Sequence, residues 1–329
     1  MKQEGLYVKK KKQVNKIDGQ IKELEKTFRP GIVMQLGKKA TDKIDVIPFS
    51  CHSLNEATGV GGLPRGRIIE IFGIEAGGKT SLALDIIASA QKQGGYACLI
   101  DAEHNFNPQY AAILGVDVEK LYVSQPDYGE QALEVVDNLA KGNGLDVIVV
   151  DSVSALLPKA ELEGDMGDIG YGTAQAKLMS FALRKLATSV GKSKTVVIFI
   201  NQIREKVGLM FGNPEITSGG RALKFYAAMR LRVSKKKMID EDKVIKGHVV
   251  GVQVVKNKSA APFKEAEIEL VYEKGFDKIG DIINLAVKKG IINQAGAWYS
   301  YGDKIHAQGM ADLKTQLTDC IPMLLKELG

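Results

Sequence analysis

Short apolar runs alternate along the middle of the chain with segments whose apolar residues recur every three or four positions. The runs predict buried strands over residues 67–72, 96–101, 121–123, 146–151 and 195–200. The other segments predict helices over residues 81–90, 130–140 and 173–190. Because strands that alternate with helices form a mostly parallel, helix-covered sheet, the pattern predicts an α/β fold.

The N-terminal part has a different pattern. A predicted helix has one apolar stripe, made by Val14, Ile17, Ile21, Leu24 and Phe28. So short a helix needs a docking partner, and its own domain and a neighbouring subunit are equally favoured. The run Arg29-Pro30-Gly31 ends the helix, and residues 32–36 have the composition of a lone strand.

The C-terminal part changes pattern twice. Predicted strands over residues 229–233, 249–255 and 266–272 follow one another without helices, which indicates an antiparallel extension of the sheet. From about Asp277 a helix, a hairpin and a last helix broken at Pro322 indicate a small α/β domain. The predicted organisation is therefore an N-terminal segment (1–37), a core (38–276) and a C-terminal domain (277–329).

Composition places the chain among soluble globular proteins of a reducing cytoplasm. It has 329 residues, 45% of them hydrophobic and 26% charged, without an apolar run long enough to cross a bilayer. Three separated cysteines and four histidines have no metal-ligand spacing. The net charge is +6, and the consecutive lysines Lys9–Lys12 suggest either a nucleic-acid contact or a solvated tail.

The strongest motif follows the first core strand. Residues 73–80 (GIEAGGKT) fit the phosphate-binding loop G-x-x-x-x-G-K-[ST], between a predicted strand and a predicted helix. Backbone N–H groups of such a loop surround phosphate oxygens, Lys79 reaches the β- and γ-phosphates, and Thr80 ligates Mg²⁺. The predicted nucleotide-binding residues here are Gly73, Ile74, Glu75, Ala76, Gly77, Gly78, Lys79, Thr80 and Ser81.

Acidic and amide residues end three other predicted strands. Asp151 ends an apolar strand and is the expected Mg²⁺ carboxylate, with Thr80 as the second metal ligand. Glu103 is the candidate base for an attacking water, whereas Asp101 is expected to cap its loop. Gln202 is placed to sense a γ-phosphate. In open α/β sheets these strand ends converge on the ligand.

Two long glycine-containing loops and a basic strand end stay open to two interpretations. Residues 164–171 and 203–217, beside Arg184, Arg221 and Lys224, predict a DNA-binding surface, and a substrate lid is nearly as favoured. Lys256 and Lys258 form either a solvated edge or a cationic finger that acts on a neighbour's nucleotide.

Several longer runs identify a family. The chain resembles the bacterial recombinase A (RecA) family of DNA strand-exchange proteins over roughly residues 13–310. The matching runs include residues 101–104 (DAEH), 124–127 (SQPD), 146–153 (DVIVVDSV), 199–204 (FINQIR), 210–215 (MFGNPE), 219–220 (GG), 222–226 (ALKFY), 254–258 (VVKNK), 260–264 (AAPFK) and 295–301 (AGAWYSY).

The resemblance implies a DNA-dependent ATPase. It implies a filament on single-stranded DNA that uses ATP and Mg²⁺, pairs that strand with homologous duplex DNA and exchanges strands. It also implies stimulation of repressor self-cleavage in the DNA-damage (SOS) response. The N-terminal helix and strand become the element that docks on the next protomer.

The resemblance also assigns residues. It implies that Tyr110 stacks on adenine, and that Tyr272, Lys256 and Lys258 meet the nucleotide from the neighbouring subunit. Gln202 links the γ-phosphate to the second DNA loop. Residues implied at the DNA surface are Gly164, Tyr171, Arg184, Arg204, Lys206, Val207, Phe211, Ser218, Gly219, Gly220 and Arg221.

The chain departs from the family pattern at the loop centre (residues 74–77), at Asn107 in place of an adenine-contacting Asp, and at Arg221 in place of an Asn. Its first DNA loop is one residue longer, and it ends without the acidic tail of many members, which predicts readier, salt-sensitive DNA binding. Two alternatives are a motor ATPase without strand exchange and a non-catalytic paralogue. The long match through both loops argues against the first, and the intact set of catalytic residues argues against the second.

Overall fold

A ten-stranded sheet organises the part of the chain that the computed structural model describes, residues 16–33, 44–164, 172–205, 215–303 and 305–328. The strands are β1 (Val46–Ile47), β2 (Leu63–Pro64), β3 (Ile68–Gly73), β4 (Ala97–Asp101), β5 (Leu121–Ser124), β6 (Val147–Asp151), β7 (Val196–Glu205), β8 (Glu215–Thr217), β9 (Met229–Glu241), β10 (Val244–Asn257), β11 (Glu265–Val271), β12 (Gly275–Phe276), β13 (Asn293–Ala295), β14 (Trp298–Tyr301) and β15 (Ile305–Gln308).

Helices cover this sheet and build the C-terminal part. They are α1 (residues 16–27), α2 (His52–Thr58), α3 (Lys79–Lys92), α4 (Pro108–Ile113), α5 (Gly129–Gly142), α6 (Lys159–Leu162), α7 (Gly172–Lys192), α8 (Ala222–Tyr226), α9 (Lys278–Lys288), α10 (Met310–Leu317) and α11 (Ile321–Leu328). Apart from the far end of β7, the core elements predicted from the middle of the chain lie within two residues of their predicted ends.

The order of strands explains the fold class. Across the sheet it runs β12-β11-β10-β9-β3-β7-β6-β4-β5, and β8 pairs with β7 alone. The pairs from β9 to β5 are parallel, whereas β9, β10, β11 and β12 pair antiparallel. The predicted α/β fold with a mostly parallel centre and an antiparallel extension is confirmed.

Strand β3 is buried on both faces, as its continuous apolar run predicts. Ile69 and Ile71 pack in one hydrophobic cluster with α3 and β10, while Ile68 packs in a second cluster with α5 and α7. Glu70 is the one charged residue within β3, and it is fully buried. The phosphate loop therefore follows a strand that is held rigidly in the core.

The contact between α5 and α7 contains a buried charge. Asp137 accepts hydrogen bonds from Ser189 Oγ (2.6 Å) and Lys141 Nζ (2.6 Å), and Lys185 Nζ lies 3.0 Å away. Burial by itself raises the pKa of Asp137, but these hydrogen bonds outweigh it and lower the pKa to about 2. The carboxylate thus ties two helices together in its ionised form.

Three predictions need correction. The second loop does not begin at Ile203, because β7 continues to Glu205 and pairs antiparallel with β8 in a hairpin. Strands β9 and β10 are 13 and 14 residues long, far longer than predicted, because each stabilises the other across a two-residue turn. Ile32 and Val33 are not in a strand, and residues 34–36 lie outside the described part.

The N-terminal segment forms a unit of its own. Helix α1 ends at residue 27, and the Gly31 backbone N–H donates to Glu25 Oε1 (2.8 Å), so the predicted stop is confirmed. Its apolar residues Ile17, Leu24 and Phe28 are exposed. Val14 and Lys9–Lys12 lie outside the described residues, and the docking partner stays a prediction.

The C-terminal part has its own small core. Helices α9, α10 and α11 pack with the β13-β14-β15 sheet around Ile283, Leu313 and Leu324. Pro322 lies in the first turn of α11, where its missing N–H costs no helical hydrogen bond. The last helical stretch is therefore divided before Pro322, with α10 ending at Leu317 and α11 beginning at Ile321. The predicted domain boundaries at 37 and 276 stay predictions.

Candidate nucleotide site and DNA-facing segments

The phosphate loop bends tightly between β3 and α3. Gly78 has φ +97°, and a Cβ at this position would lie 3.0 Å from Val250 Cγ2 on β10. Glycine is therefore required here both for its backbone conformation and for the close approach of β10. Of the loop centre, where the chain departs from the family pattern, Ile74, Glu75 and Ala76 are exposed and Gly77 is buried.

Lys79 lies at the start of α3 and is almost completely buried. Its Nζ donates a hydrogen bond to the Ile74 carbonyl (2.6 Å) across the loop. Burial lowers the pKa of Lys79, while the nearby charges of Asp151, Glu103 and Glu75 act in the opposite direction. An ammonium held this way in a glycine loop is placed to meet an anionic phosphate.

Thr80 and Asp151 form a second polar pair beside the loop. Thr80 Oγ1 donates to Asp151 Oδ2 at 2.8 Å. Burial, together with the charges of Glu103 and Asp101, raises the pKa of Asp151 to about 6 despite the Thr80 hydrogen bond and Lys79. A hydroxyl and a carboxylate are the hard oxygen ligands that Mg²⁺ prefers, so these two residues fit that ion.

Glu103 and Gln202 meet at the same edge of the sheet. Gln202 Nε2 donates to Glu103 Oε1 at 3.3 Å, and the Ser152 hydroxyl donates to the same oxygen. The register explains the meeting, because Asp101 pairs with Asp151 and Val150 pairs with Phe199, which brings the residues after β4 level with Gln202 on β7. Asp101 instead accepts from the Asn105 and Phe106 backbone N–H groups, which confirms its predicted role in capping the loop.

A pocket of about 210 Å³ lies beside the phosphate loop. Its lining consists of Ala76, Gly77, Gly78, Lys79, Thr80, Ser81, Tyr110, His248, Leu270 and Tyr272. Tyr110 Oη and Ser81 Oγ are 2.7 Å apart. Asn107, the departure from the family pattern, caps α4 by accepting from the Tyr110 backbone N–H (3.0 Å) and so helps to place that ring.

Tyr272 lies directly after β11 and lines the pocket beside the phosphate loop of its own chain. Sequence spacing does not reveal this position, because it depends on the antiparallel strands β10 and β11 folding back beside the loop. The contact of Tyr272 with the nucleotide of a neighbouring subunit stays a prediction.

His248 was missed. It is the first member of an alternating buried stripe on β10, followed by Val250, Val252 and Val254. The predicted strand began one residue too late to include it. A histidine in an otherwise apolar stripe was the signal that would have identified it.

Comparison with known proteins decides the family. The model of the RecA N-terminal domain matches residues 15–277, and that of the RecA C-terminal domain matches residues 280–328. Proteins named Protein RecA from Clostridium acetobutylicum and Aquifex aeolicus are 54% and 55% identical to this chain, covering 91% and 93% of it and 85% and 88% of their own lengths. The Thermus aquaticus Protein RecA is 54% identical, covering 95% of this chain and 92% of the relative.

This chain belongs to the RecA family. Its function is therefore ATP-dependent DNA strand exchange in homologous recombination and repair, with the family's part in the DNA-damage response. A phosphate-loop motor without strand exchange is not favoured, because the match extends through both family domains. Members of the RecA family are DNA-dependent ATPases that use ATP with Mg²⁺.

The DNA-facing residues expected of a RecA family member are only partly described. Gly164, Arg184, Arg204 and Arg221 are exposed. Gly219 is buried against Val153 and Met179, which favours a packing role over direct DNA contact. Ser218 and Gly220 are half-buried. Tyr171, Lys206, Val207 and Phe211 lie outside the described residues.

Lys256 and Lys258 lie at the opposite end of the sheet from the phosphate loop. Lys256 is level with Arg230, which pairs with Glu70, three residues or about 10 Å before Gly73. Its Nζ donates to the carbonyls of Lys224 (2.6 Å) and Phe225 (3.1 Å). Neither lysine lines the pocket beside its own chain's phosphate loop.

Proposed function

We propose that this chain hydrolyses ATP, with Mg²⁺, at the loop-centred site and that the nucleotide state controls the second DNA loop. Gln202 supports this most directly. It hydrogen-bonds Glu103 beside the phosphate loop, and the next residue of β7, Ile203, already pairs with Thr217 in the hairpin at the base of that loop. Strand β7 thus joins the phosphate-loop site to the base of the second DNA loop.

In this proposal each side chain has a defined task. Lys79 binds the β- and γ-phosphates, and Glu103 accepts a proton from the water that attacks the γ-phosphorus, which releases ADP and phosphate. Thr80 and Asp151 would hold Mg²⁺, which neutralises charge on the phosphates when bound. Gln202 leaves Glu103 for the γ-phosphate, so the hairpin responds to ATP but not to ADP.

Asn201 gives the coupling a fixed base. Its Nδ2 donates to the buried Glu70 (3.1 Å) and to the Ser218 carbonyl (3.0 Å), and its Oδ1 accepts from the Gln202 backbone N–H. The segment after the second loop is therefore tied to the same strand that carries Gln202. Because Asn201 anchors β7 to the buried Glu70, a shift of Gln202 is passed onward to Ile203 and so to the hairpin with β8.

Lys256 and Lys258 are assigned to a neighbouring subunit's nucleotide. Their place towards the other end of β3 supports this, since neither lysine lines the pocket beside its own phosphate loop. A head-to-tail filament brings the far end of one subunit to the loop of the next.

We further propose that the filament forms on single-stranded DNA in the cytoplasm and promotes cleavage of a repressor. Among the described residues no helix is long and apolar enough to span a membrane.

The decisive experiment is ATP hydrolysis with and without single-stranded DNA. Wild-type hydrolysis should rise strongly with DNA, and Lys79→Ala should abolish it. Gln202→Ala should keep ADP binding but lose the DNA stimulation of hydrolysis, because the link between the γ-phosphate and the hairpin is removed. Equal DNA stimulation in Gln202→Ala would exclude the proposed coupling.

A mixing experiment tests the shared site. Lys256→Ala and Lys79→Ala should each be inactive in a filament, but a mixture should regain activity. At some interfaces an intact loop from one variant meets an intact Lys256 from the other. Activity of the mixture no greater than that of the separate variants would place Lys256 outside the neighbour's site.

A further inference from the structure

A short turn after β6 holds a serine against the candidate base. The turn is a single 3-10 turn over Val153–Ala155, and Ser152, just before it, is 1% exposed. The Ala102 backbone N–H donates to the Asp151 carbonyl (2.9 Å), which ties the chain after β4 to the end of β6. Glu103, the next residue, therefore lies beside Ser152, whose hydroxyl donates to Glu103 Oε1.

A second serine fixes the direction of this hydrogen bond. Ser152 Oγ and Ser154 Oγ are 2.5 Å apart, so one hydroxyl donates to the other. A hydroxyl has a single hydrogen, and that of Ser152 goes to the carboxylate of Glu103, which in its ionised form can only accept. The Ser154 hydroxyl is therefore the donor to Ser152. The three side chains form one hydrogen-bonded chain, in which each bond polarises the next.

The turn that carries these hydroxyls is anchored from two sides. Gln175 Nε2, near the start of α7, donates to the Val153 carbonyl (2.8 Å) and to the Leu156 carbonyl (3.2 Å). Val153 is fully buried, and a Cβ at Gly219 would lie only 2.8 Å from its Cγ1. The hydroxyls on this turn therefore have a fixed place at the edge of the sheet.

Ser152 differs from the other donor to Glu103. Gln202 Nε2 reaches the same oxygen, Oε1, from β7 (3.3 Å), but the proposed function assigns it to the γ-phosphate when ATP is bound. Ser152 then stays on the carboxylate after Gln202 has left it. Among the described residues no donor contacts the second oxygen, Oε2, which is thus left to accept a proton.

We propose that Ser152 is a positioning residue for ATP hydrolysis, which holds Glu103 through Oε1, with its hydroxyl aligned by Ser154, so that Oε2 faces the attacking water. The inference rests on the proposed role of Glu103 as the base. In the step it serves, the water oxygen bonds to the γ-phosphorus, its proton passes to Oε2, and the bond to the ADP oxygen breaks. Ser152 loses no proton and forms no covalent bond, so it sets the orientation of the base alone.

Steady-state hydrolysis by the full chain on single-stranded DNA, with saturating Mg²⁺, tests the proposal. Ser152→Ala should lower kcat about tenfold and leave KM within about twofold of wild type, because alignment of the base serves the transition state more than binding. Ser154→Ala should lower kcat about threefold, the effect of one hydrogen bond. The double variant of both serines should match Ser152→Ala alone, since Ser154 acts only through Ser152. Ser193→Ala, which removes a half-buried hydroxyl bonded to the Val190 carbonyl (3.1 Å) before the opposite end of β7, is the matched control and should keep wild-type kcat.

Two further measurements separate positioning from a structural role. Calorimetric titration of Ser152→Ala with a non-hydrolysable ATP analogue should give the wild-type affinity, and a loss of affinity in proportion to kcat would overturn the inference. In a Glu103→Gln background, Ser152→Ala should cause no further loss of residual hydrolysis, because the serine acts through the carboxylate. A further loss in that background, or a double serine variant whose loss is the product of the single losses, would also contradict it.

The same variants distinguish a failure of this inference from a failure of the proposed function. If Glu103→Gln is impaired while Ser152→Ala keeps the wild-type kcat, only the positioning role of Ser152 is wrong. If Glu103→Gln itself hydrolyses ATP at the wild-type rate, Glu103 is not the base, and the role of Ser152 falls with it.

Discussion

The buried ion pair of Glu70 and Arg230 gives the most quantitative test of what stabilises this fold. Glu70 lies in β3 with no exposed surface, and Arg230 on β9 is 13% exposed. Arg230 Nε donates to one carboxylate oxygen, and Asn201 Nδ2 donates to the other at 3.1 Å. Arg230→Met should therefore leave a carboxylate in the core with one weak partner.

The size of the effect follows from burial. Removing one partner of a buried ion pair typically costs about 3–5 kcal/mol, because the remaining charge stays desolvated. Arg230 Cζ also lies 4.3 Å from the centroid of the Phe72 ring, so the substitution removes a cation–π contact as well. In a domain of this size that loss corresponds to a fall in Tm of roughly 10 °C.

The assay is thermal unfolding of the DNA-free protein at one fixed concentration, followed by circular dichroism. Lys236→Met is the matched control, since its pair with Glu267 spans 3.9 Å and both side chains are exposed. That variant should lose less than about 1 kcal/mol. Glu70→Gln combined with Arg230→Met should recover most of the stability, because no charge is then stranded. Equal Tm values for Arg230→Met and Lys236→Met would refute the reasoning, as would a double variant no more stable than Arg230→Met.

Three further predictions test separate contacts. Asp137→Asn should lower the free energy of unfolding by about 2 kcal/mol at pH 7. The difference between wild type and variant should shrink as pH falls from about 5 towards 2, because the lowered pKa of Asp137 then no longer favours the folded state. Urea unfolding across that range checks this, and a difference that stays constant with pH would contradict it. Tyr110→Phe, which loses only the contact with Ser81, should change nucleotide affinity less than about fivefold, whereas Tyr110→Ala should change it much more in a direct titration. Thr80→Val, similar in shape but without the hydroxyl, should raise the Mg²⁺ concentration for half-maximal hydrolysis at least about tenfold, and an unchanged Mg²⁺ requirement would remove Thr80 from the metal site.

The sequence predicted the strand, loop and helix around the phosphate-loop motif well because their signals are local. A buried strand, a glycine loop and a helix follow one another over residues 67–90, and each is specified by its own residues. The acidic ends of β4 and β6 were equally visible. Parallel strands place such ends at a common edge, so Asp101 and Asp151 pair in register, as strand-end reasoning expects.

Predictions failed where the answer depends on distant partners. Tyr272 and His248 enter the pocket only because β10 and β11 return antiparallel beside the loop. The continuation of β7 beyond Ile200 was invisible because residues 201–205 are mostly polar and are held by distant strands. Residues 201–202 pair with β3, and residues 203–205 pair with β8, ten or more residues further along. The residues of one strand alone do not show which distant strand it pairs with.

The amino-acid sequence by itself thus determined the fold class, the family, the phosphate loop and the acid that ends each neighbouring strand, since local periodicity and contiguous motifs encode them. Only the tertiary structure decided that Gln202 meets Glu103, that Asn201 anchors to the buried Glu70, and that His248 and Tyr272 share one pocket. Those contacts depend on strand order and register, which arise when distant segments bury their apolar faces together.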